Sequence, residues 1–558
     1  MARDNPFLFS RPWLRNYDPH VPAEIQFPLT NLFVLFQTTA VKYPNETFLS
    51  INNFDFSFGL IYELVENMAK NLINKGLKKG ERVALILPNI PQFVISYYAV
   101  LRAGGIVVAM NPNYKLNEYE FLFKDSNPKY VICLDRHREI IISLEKKSES
   151  FLVIETSIKD IPNLFNAAIQ ETINKKQDPK TLLDFIRPVF SIPDFPIIRP
   201  DDAAIFQYSG GTTGVPKAAI GMHCNLIANV HQFQIWCDLK PGKETILAVV
   251  PLYHVYGMVL ALALSATIGA KLILVDDPKN IDLILEEIEK QKVTFFPGVP
   301  TMYYAINQNN KVKEGKCDLS SIKACISGSA TLHPQIKEEF ERLTGGKLVE
   351  GYGLSEAPTA THCNPLCGKN KTGSIGLPLP GVVCRVVDLE NGLVDKNLGE
   401  TGELILQGPQ VMKGYHNNPA ENKEALRDEW LFTGDVVRMD EDGYFFIVDR
   451  KKSLIKVGGF QVWPNEIEGV LDSHPLILES AVGGIPDIEK GEKVIAWVVL
   501  KSGEFLGKQE IIQWCENQLI FYKLPVEIIF VNKIPRTGMG KVLRRELIAD
   551  YDKKDPII

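Results

Sequence analysis

Residues 208–217 read Tyr-Ser-Gly-Gly-Thr-Thr-Gly-Val-Pro-Lys, a run whose residue types suit the holding of phosphate. Gly210, Gly211 and Gly214 carry no Cβ, so backbone N–H groups can close around phosphate oxygens. Ser209, Thr212 and Thr213 add hydroxyl donors, and Lys217 adds a positive charge at the end of the run. It is not a P-loop. Pro216 stands where that motif has glycine before its lysine, and Ala218 stands where it needs Ser or Thr. A bland glycine turn would need neither two consecutive threonines nor a terminal lysine.

Three further segments are weak singly. In Glu350-Gly351-Tyr352-Gly353-Leu354-Ser355-Glu356 the glycines let a flat ligand approach the backbone while the aromatic ring stacks on it. Glu356 offers a carboxylate for magnesium beside phosphates, although a strand end with a solvated glutamate reads equally well. In Phe432-Thr433-Gly434-Asp435 the carboxylate after a glycine turn can accept both ribose hydroxyls. The tail segment Pro535-Arg536-Thr537-Gly538-Met539-Gly540-Lys541 places a lysine in a Gly-rich loop, which alone reads better as a solvated basic patch. The weight lies in all four occurring in this order.

Elements must position these groups, and the sequence supplies them. From about residue 80 short apolar runs alternate with helix-like segments, the pattern of an α/β sheet with helices on its faces. ERVALILP, IVVAMN, YVICLD, AAIFQYSG, TILAVVP, KLILVDD, TFFPGVP, KACISGSA and KLVEGYG read as strands. PQFVISYYAVLRAG, DLILEEIEK and PQIKEEFERL read as helices, the first with Pro91 at its start. After Cys367 the texture turns Gly- and Pro-rich with alternating apolar residues, which predicts a small, barrel-like antiparallel β unit, and DEDGYFFIVDR predicts a hairpin around Asp442–Gly443. KKSLIKVGGF, rich in lysine and glycine, marks a joint. The expected organisation is a large N-terminal domain over 1–449, a hinge at 450–452 and a small mobile α+β domain over 453–558.

Composition narrows the classes. The 558 residues suffice for three or four compact units at about 150 residues each. Apolar residues are 45% and charged residues 23%, too apolar for a disordered chain. Lys and Arg number 61 against 67 Asp and Glu, a net −6 that argues against a protein built to coat nucleic acid. Nine cysteines without C-x-x-C spacing, the closest pair being Cys363 and Cys367, suit free thiols in a reducing compartment. The opening MARDNPFLFSRPW has no long apolar core and argues against a signal peptide. The uncharged stretch between Glu244 and Lys271 is broken by Pro251 and Gly257, so Met258–Ala270 is expected as a buried core helix, not a membrane span.

Taken together, YSGGTTGVPK, EGYGLSE, LFTGD, DRKKSLIKVGGFQVWPNEIE and PRTGMGK resemble the ordered signatures of the adenylate-forming enzymes. Within that superfamily the chain is similar to bacterial long-chain fatty acid–CoA ligases. The likeness extends through WLRNYDPHVPAEI, PLYHVYG, GSIGLPLPG, GPQVMKGYH and HPLILESAVGGIPD, almost the whole chain.

The resemblance implies two half-reactions. A fatty acid carboxylate attacks the α-phosphate of Mg-ATP to give acyl-AMP and pyrophosphate, and the thiol of coenzyme A then displaces AMP. It also implies roles. Ser209 to Gly214 and Lys217 would cradle the β- and γ-phosphates, and Tyr352 would stack on adenine beside Ser329, Ala330 and Thr331. Ser355 and Glu356 would hold the α-phosphate and Mg2+, and Asp435 the ribose hydroxyls with Arg450 nearby. Lys541 would bridge carboxylate and α-phosphate during adenylation, supported by Lys456 and Gln461. Rotation at Lys452 would withdraw Lys541 and admit coenzyme A. His254 would lie near the carboxylate of the acyl group, a satisfied core histidine reading equally well, and Asn225–Trp236 is a candidate wall of the acyl tunnel.

Three departures stand out. Ser355 replaces the commoner threonine and keeps the hydroxyl. Ala218 adds a methyl where glycine is usual, and Ser453 replaces a frequent acidic residue beside the hinge. The alternatives are a fatty acyl-AMP ligase that loads a carrier protein, a medium-chain or aryl-CoA ligase, and a non-catalytic acyl- or nucleotide-binding protein. The expected partners are fatty acid, ATP and coenzyme A, with no nucleic acid. The expected place is cytoplasmic, with peripheral contact at the inner face of the membrane left open.

Overall fold

A computed structural model of the chain describes residues 11–147, 151–167, 180–189, 191–210, 216–458, 460–487, 489–536 and 542–554. It divides into two units. The first comprises Trp13–Val383 with Gln407–Leu431; the second comprises the described residues of Met1–Pro12, Cys384–Leu406 and Phe432–Ile558.

The first unit is built on two sheets. The larger runs in the order Leu377–Pro378, Ala357–Cys363, Lys347–Leu354, Ala324–Ser327, Phe295–Gly298, Thr245–Ala248, Lys271–Leu274, Thr47–Ile51, Phe54–Ser57. Its interior pairings are parallel, and antiparallel pairs close both ends. The smaller runs Leu152–Thr156, Tyr130–Leu134, Arg82–Ile86, Ile106–Ala109, Ala203–Gly210, Pro216–Met222. It is parallel except for its last pair, an antiparallel hairpin.

Strands such as Tyr130–Leu134 and Ile106–Ala109 are buried along their whole length, which is why they appear in sequence as continuous apolar runs. Helices Pro91–Arg102, Ile281–Gln291 and Pro334–Thr344 lie where the sequence predicts them. Asn280 caps the second by accepting from Leu283 N at 3.1 Å. The run after His254 is helical and buried as expected, but Met258–Ala263 adopts π-helical turns that its apolar composition does not foretell. Among the described residues no helix is long and apolar enough to cross a membrane.

The second unit carries two sheets. One contains Val383–Val387, Thr401–Gln407, Trp430–Met439 and Phe445–Arg450, the last two forming the predicted hairpin across Gly443 at φ 82°. The other runs Phe460–Val462, Ile455–Val457, Gly491–Leu500, Ile477–Asp487, with Glu527–Phe530 parallel to Gly491–Leu500. Helices Pro464–Asp472 and Lys508–Glu516 join it, and Ile467, Leu471, Ile511 and Cys515 pack in one apolar core with its strands.

Candidate nucleotide site

The phosphate-type motif begins at the end of an edge hairpin. Ala203–Gly210 and Pro216–Met222 run antiparallel, with Ser209 opposite Lys217 and Gly210 opposite Pro216. Gly211, Thr212, Thr213 and Gly214 lie outside the described residues. Tyr208 anchors the first strand by donating its hydroxyl to Asp125 Oδ2 at 2.6 Å. Ala218, the departure from glycine, is 1% exposed and packs in an apolar cluster with Phe206.

A second tight hairpin carries the next motif. Lys347–Leu354 turns directly into Ala357–Cys363, with Leu354 opposite Ala357, so Ser355 and Glu356 are the two residues of the turn. The register shifts between Tyr352 and Leu354, and a Cβ at Gly353 would collide with the Thr359 carbonyl oxygen, so only glycine fits there. Tyr352 is half-buried and meets the ring of His362, its cross-strand partner, edge-on at 5.7 Å. Burial pushes that imidazole down to about 3. Gly351 lies opposite Cys363 on the same hairpin. Ser329 sits in the left-handed region at φ 76°, and Ser329, Ala330 and Thr331 are exposed. Leu332 follows them and donates its N–H to Glu350 Oε2 at 3.2 Å. Burial pushes the Glu350 carboxyl up to about 8.

Tyr415 joins the two hairpins. Its hydroxyl donates to Glu356 Oε1 at 2.8 Å, and its ring lies 5.6 Å from Lys217 Nζ. The segment around it extends the edge strand: Lys413 N donates to Ile220 O at 3.0 Å, Ile220 N to Gly414 O at 2.9 Å, and His416 N to Ala218 O at 2.9 Å. Met412 N donates to the Glu356 carbonyl at 2.8 Å. Glu421, on the helix Pro419–Ala425, pairs with Lys217 at 2.6 Å. Sequence reasoning missed both Tyr415 and Glu421. The signal available for Tyr415 was its place in GPQVMKGYH, a segment that assigns it no chemistry by composition.

His254 is half-buried and caps the helix Val255–Gly257, its Nδ1 accepting from Tyr256 N at 3.2 Å. Burial pushes its imidazole down to about 4, so it is neutral at pH 7. On the helix His223–Trp236, the buried amides of Asn225, Asn229 and Gln232 donate to the carbonyls of Pro409, Ala360 and Pro380. They tie three segments together.

The second unit holds the remaining candidates. Asp435 is 3% exposed and pairs with Arg450 Nε at 2.6 Å, the two facing each other across the antiparallel hairpin. Thr433 Oγ1 accepts from Asp435 N at 3.1 Å and donates to Leu404 O at 2.7 Å, which fixes the Thr-Gly-Asp turn. Gly434 within it has φ 71°, a conformation that favours glycine. Lys452 is exposed in the single turn Lys451–Ser453 between two strands. Lys456 and Gln461 are exposed and directly opposite on the hairpin Ile455–Val462. Lys541 lies outside the described residues.

Magnesium can be tested against Glu356. Among the described residues no cluster of three or more His, Cys, Asp or Glu side chains is built to hold a metal alone. Mg2+ on a nucleotide needs no such cage, because it keeps waters and substrate phosphates and takes one or two carboxylates. A carboxylate on a two-residue turn, oriented by a tyrosine hydroxyl, fits that requirement.

Comparison with known proteins identifies the family. The model of the AMP-binding enzyme family matches residues 36–416, and that of the AMP-binding enzyme C-terminal domain matches 466–541. A long-chain-fatty-acid–CoA ligase of Bacillus subtilis is 41% identical over 557 residues, covering 97% of this chain and 98% of that protein. One from Yersinia pestis is 34% identical, covering 96% and 97%. The crystal structure of ATP-bound MatB from Rhodopseudomonas palustris matches with a TM-score of 0.82 at 30% identity, covering 94% of this chain and 100% of that one. The chain belongs to the AMP-binding enzyme family.

Proposed function

We propose that this chain is an AMP-forming fatty acid–CoA ligase that converts a long-chain fatty acid, ATP and coenzyme A into acyl-CoA, AMP and pyrophosphate through an acyl-adenylate. The carrying observation is the meeting of the hairpin cation Lys217 and the turn carboxylate Glu356 around one side chain, Tyr415. The near-full-length likeness to long-chain-fatty-acid–CoA ligases supports the substrate class.

The chemical demand is electrostatic. A carboxylate must approach a polyphosphate, and negative charge must be stabilised as pyrophosphate departs. In this reading Ser209 to Gly214 and Lys217 hold the β- and γ-phosphates, while Ser355 and Glu356 face the α-phosphate. Glu356 would hold Mg2+, which when bound neutralises phosphate charge. Tyr352 and the 329–331 edge take adenine. Asp435, kept oriented by Arg450, takes the ribose hydroxyls. Lys541, with Lys456 and Gln461, offsets the repulsion between carboxylate and α-phosphate. The exposed turn at Lys452 is the proposed hinge, dividing an N-terminal domain over 1–449 from a mobile domain over 453–558. The proposed place is the cytoplasm, with acid collected at the inner face of the membrane. The nine free thiols suit that compartment.

The test is ATP-dependent pyrophosphate release with C6 to C18 acids and one aryl acid, with and without coenzyme A. The reading predicts strongest release with long chains, and acyl-CoA formed only when coenzyme A is present. Acyl-AMP that persists despite coenzyme A would replace it with the carrier-loading alternative.

A further inference from the structure

Glu421 is a carboxylate placed where it works against the task given to Lys217. Its Oε2 stands 2.6 Å from Lys217 Nζ, and the lysine side chain is only 10% exposed. Its backbone is held on both sides. Asn418 caps the helix Pro419–Ala425 by accepting from Glu421 N at 3.3 Å. Asn422 clamps Tyr415, accepting from its N–H at 2.5 Å and donating to its carbonyl at 2.9 Å. One short helix therefore sets both the counter-ion of Lys217 and the ring beneath that ammonium. A polyphosphate reaching Lys217 meets an ammonium that already gives one of its three N–H donors, and part of its charge, to Glu421.

We propose that Glu421 is a positioning residue that acts through Lys217, aiming its ammonium and restraining its hold on polyphosphate so that pyrophosphate leaves readily once formed. This rests on the reading of Lys217 as a phosphate ligand. A carboxylate that competes for the ammonium weakens ATP and pyrophosphate alike. Removing its charge therefore tightens both. Where product departure limits turnover, the same change lowers kcat together with the KM for ATP.

The experiment uses the full chain and Glu421→Gln, Glu421→Ala, Lys217→Gln and the double variant Glu421→Gln/Lys217→Gln. Calorimetric titration with inorganic pyrophosphate and magnesium gives affinity without requiring turnover, and a thermal midpoint for each variant identifies misfolding. The expected result is pyrophosphate bound about threefold to tenfold more tightly by both Glu421 variants, the scale of one charged contact. Lys217→Gln should bind it more weakly, and Glu421→Gln should add nothing in that background. If both Glu421 variants bind pyrophosphate unchanged or more weakly while Lys217→Gln also loses affinity, the restraint is overturned and the phosphate role of Lys217 stands. If Lys217→Gln leaves pyrophosphate binding unchanged, the phosphate reading itself falls and the restraint with it.

Discussion

Tyr415 and Glu356 stand 59 positions apart in sequence and share a hydrogen bond of 2.8 Å, the tyrosine donating to the carboxylate. The contact fixes one oxygen of the residue proposed to hold magnesium. Tyr415→Phe removes the donor and keeps the ring beside Lys217. The variant should need about threefold to tenfold more magnesium for half-maximal rate, the cost of one charge-assisted hydrogen bond. Titration of rate against free magnesium checks this, and an unchanged requirement would remove Tyr415 from the site.

The Asp435 and Arg450 pair makes a second, separable prediction. If Asp435 takes the ribose hydroxyls, the wild-type chain should prefer ATP to 2′-deoxy-ATP by about tenfold or more in kcat/KM. Asp435→Asn should lose most of that preference. It should also lose stability, because Arg450 is left without its carboxylate. An asparagine variant with undiminished preference would place ribose recognition elsewhere.

Glu350 gives a pH dependence of known direction. Its carboxyl is pushed up to about 8 by burial, against an ordinary value of 4.5. Between those pH values the folded chain binds more protons than the unfolded chain at this group. Stability therefore falls as pH rises through the window, and the loss is complete above about pH 8. Glu350→Gln retains an acceptor for Leu332 N–H and does not titrate. It should be more stable than wild type at pH 8 by on the order of 2 kcal/mol, and nearly equal at pH 5. Urea unfolding at the two pH values decides it, equal gains at both being the contrary result.

Ala218 allows a structural side effect to be separated from a functional one. Its methyl lies in a packed apolar cluster within a strand, so Ala218→Gly should cost about 1–2 kcal/mol of stability. The KM for ATP should stay within about twofold if the methyl does not obstruct phosphate. A marked drop in KM would show that the methyl hinders the loop.

The strands of the first unit were legible because parallel strands buried on both faces are written as continuous apolar runs, as in YVICLD and IVVAMN. Glycine turns were legible where the backbone demands them, as at Gly434 and Gly443. Two aspects were not. The π-helical turns at Met258–Ala263 have no compositional mark. The partners of Lys217 and Glu356 come from a segment distant in sequence, brought beside them only when residues 413–416 pair with the edge strand. Motif reading therefore found the charged residues and missed Tyr415 and Glu421, which hold two of them.

The adenylate route is tested most directly by the fate of a carboxylate oxygen. With a long-chain acid labelled with oxygen-18 in its carboxylate, the attacking oxygen becomes the bridge of acyl-AMP and remains on phosphorus when the thiol displaces AMP. Mass spectrometry should find one labelled oxygen in AMP and none in pyrophosphate. Unlabelled AMP, or label appearing in inorganic phosphate alongside ADP, would contradict the account.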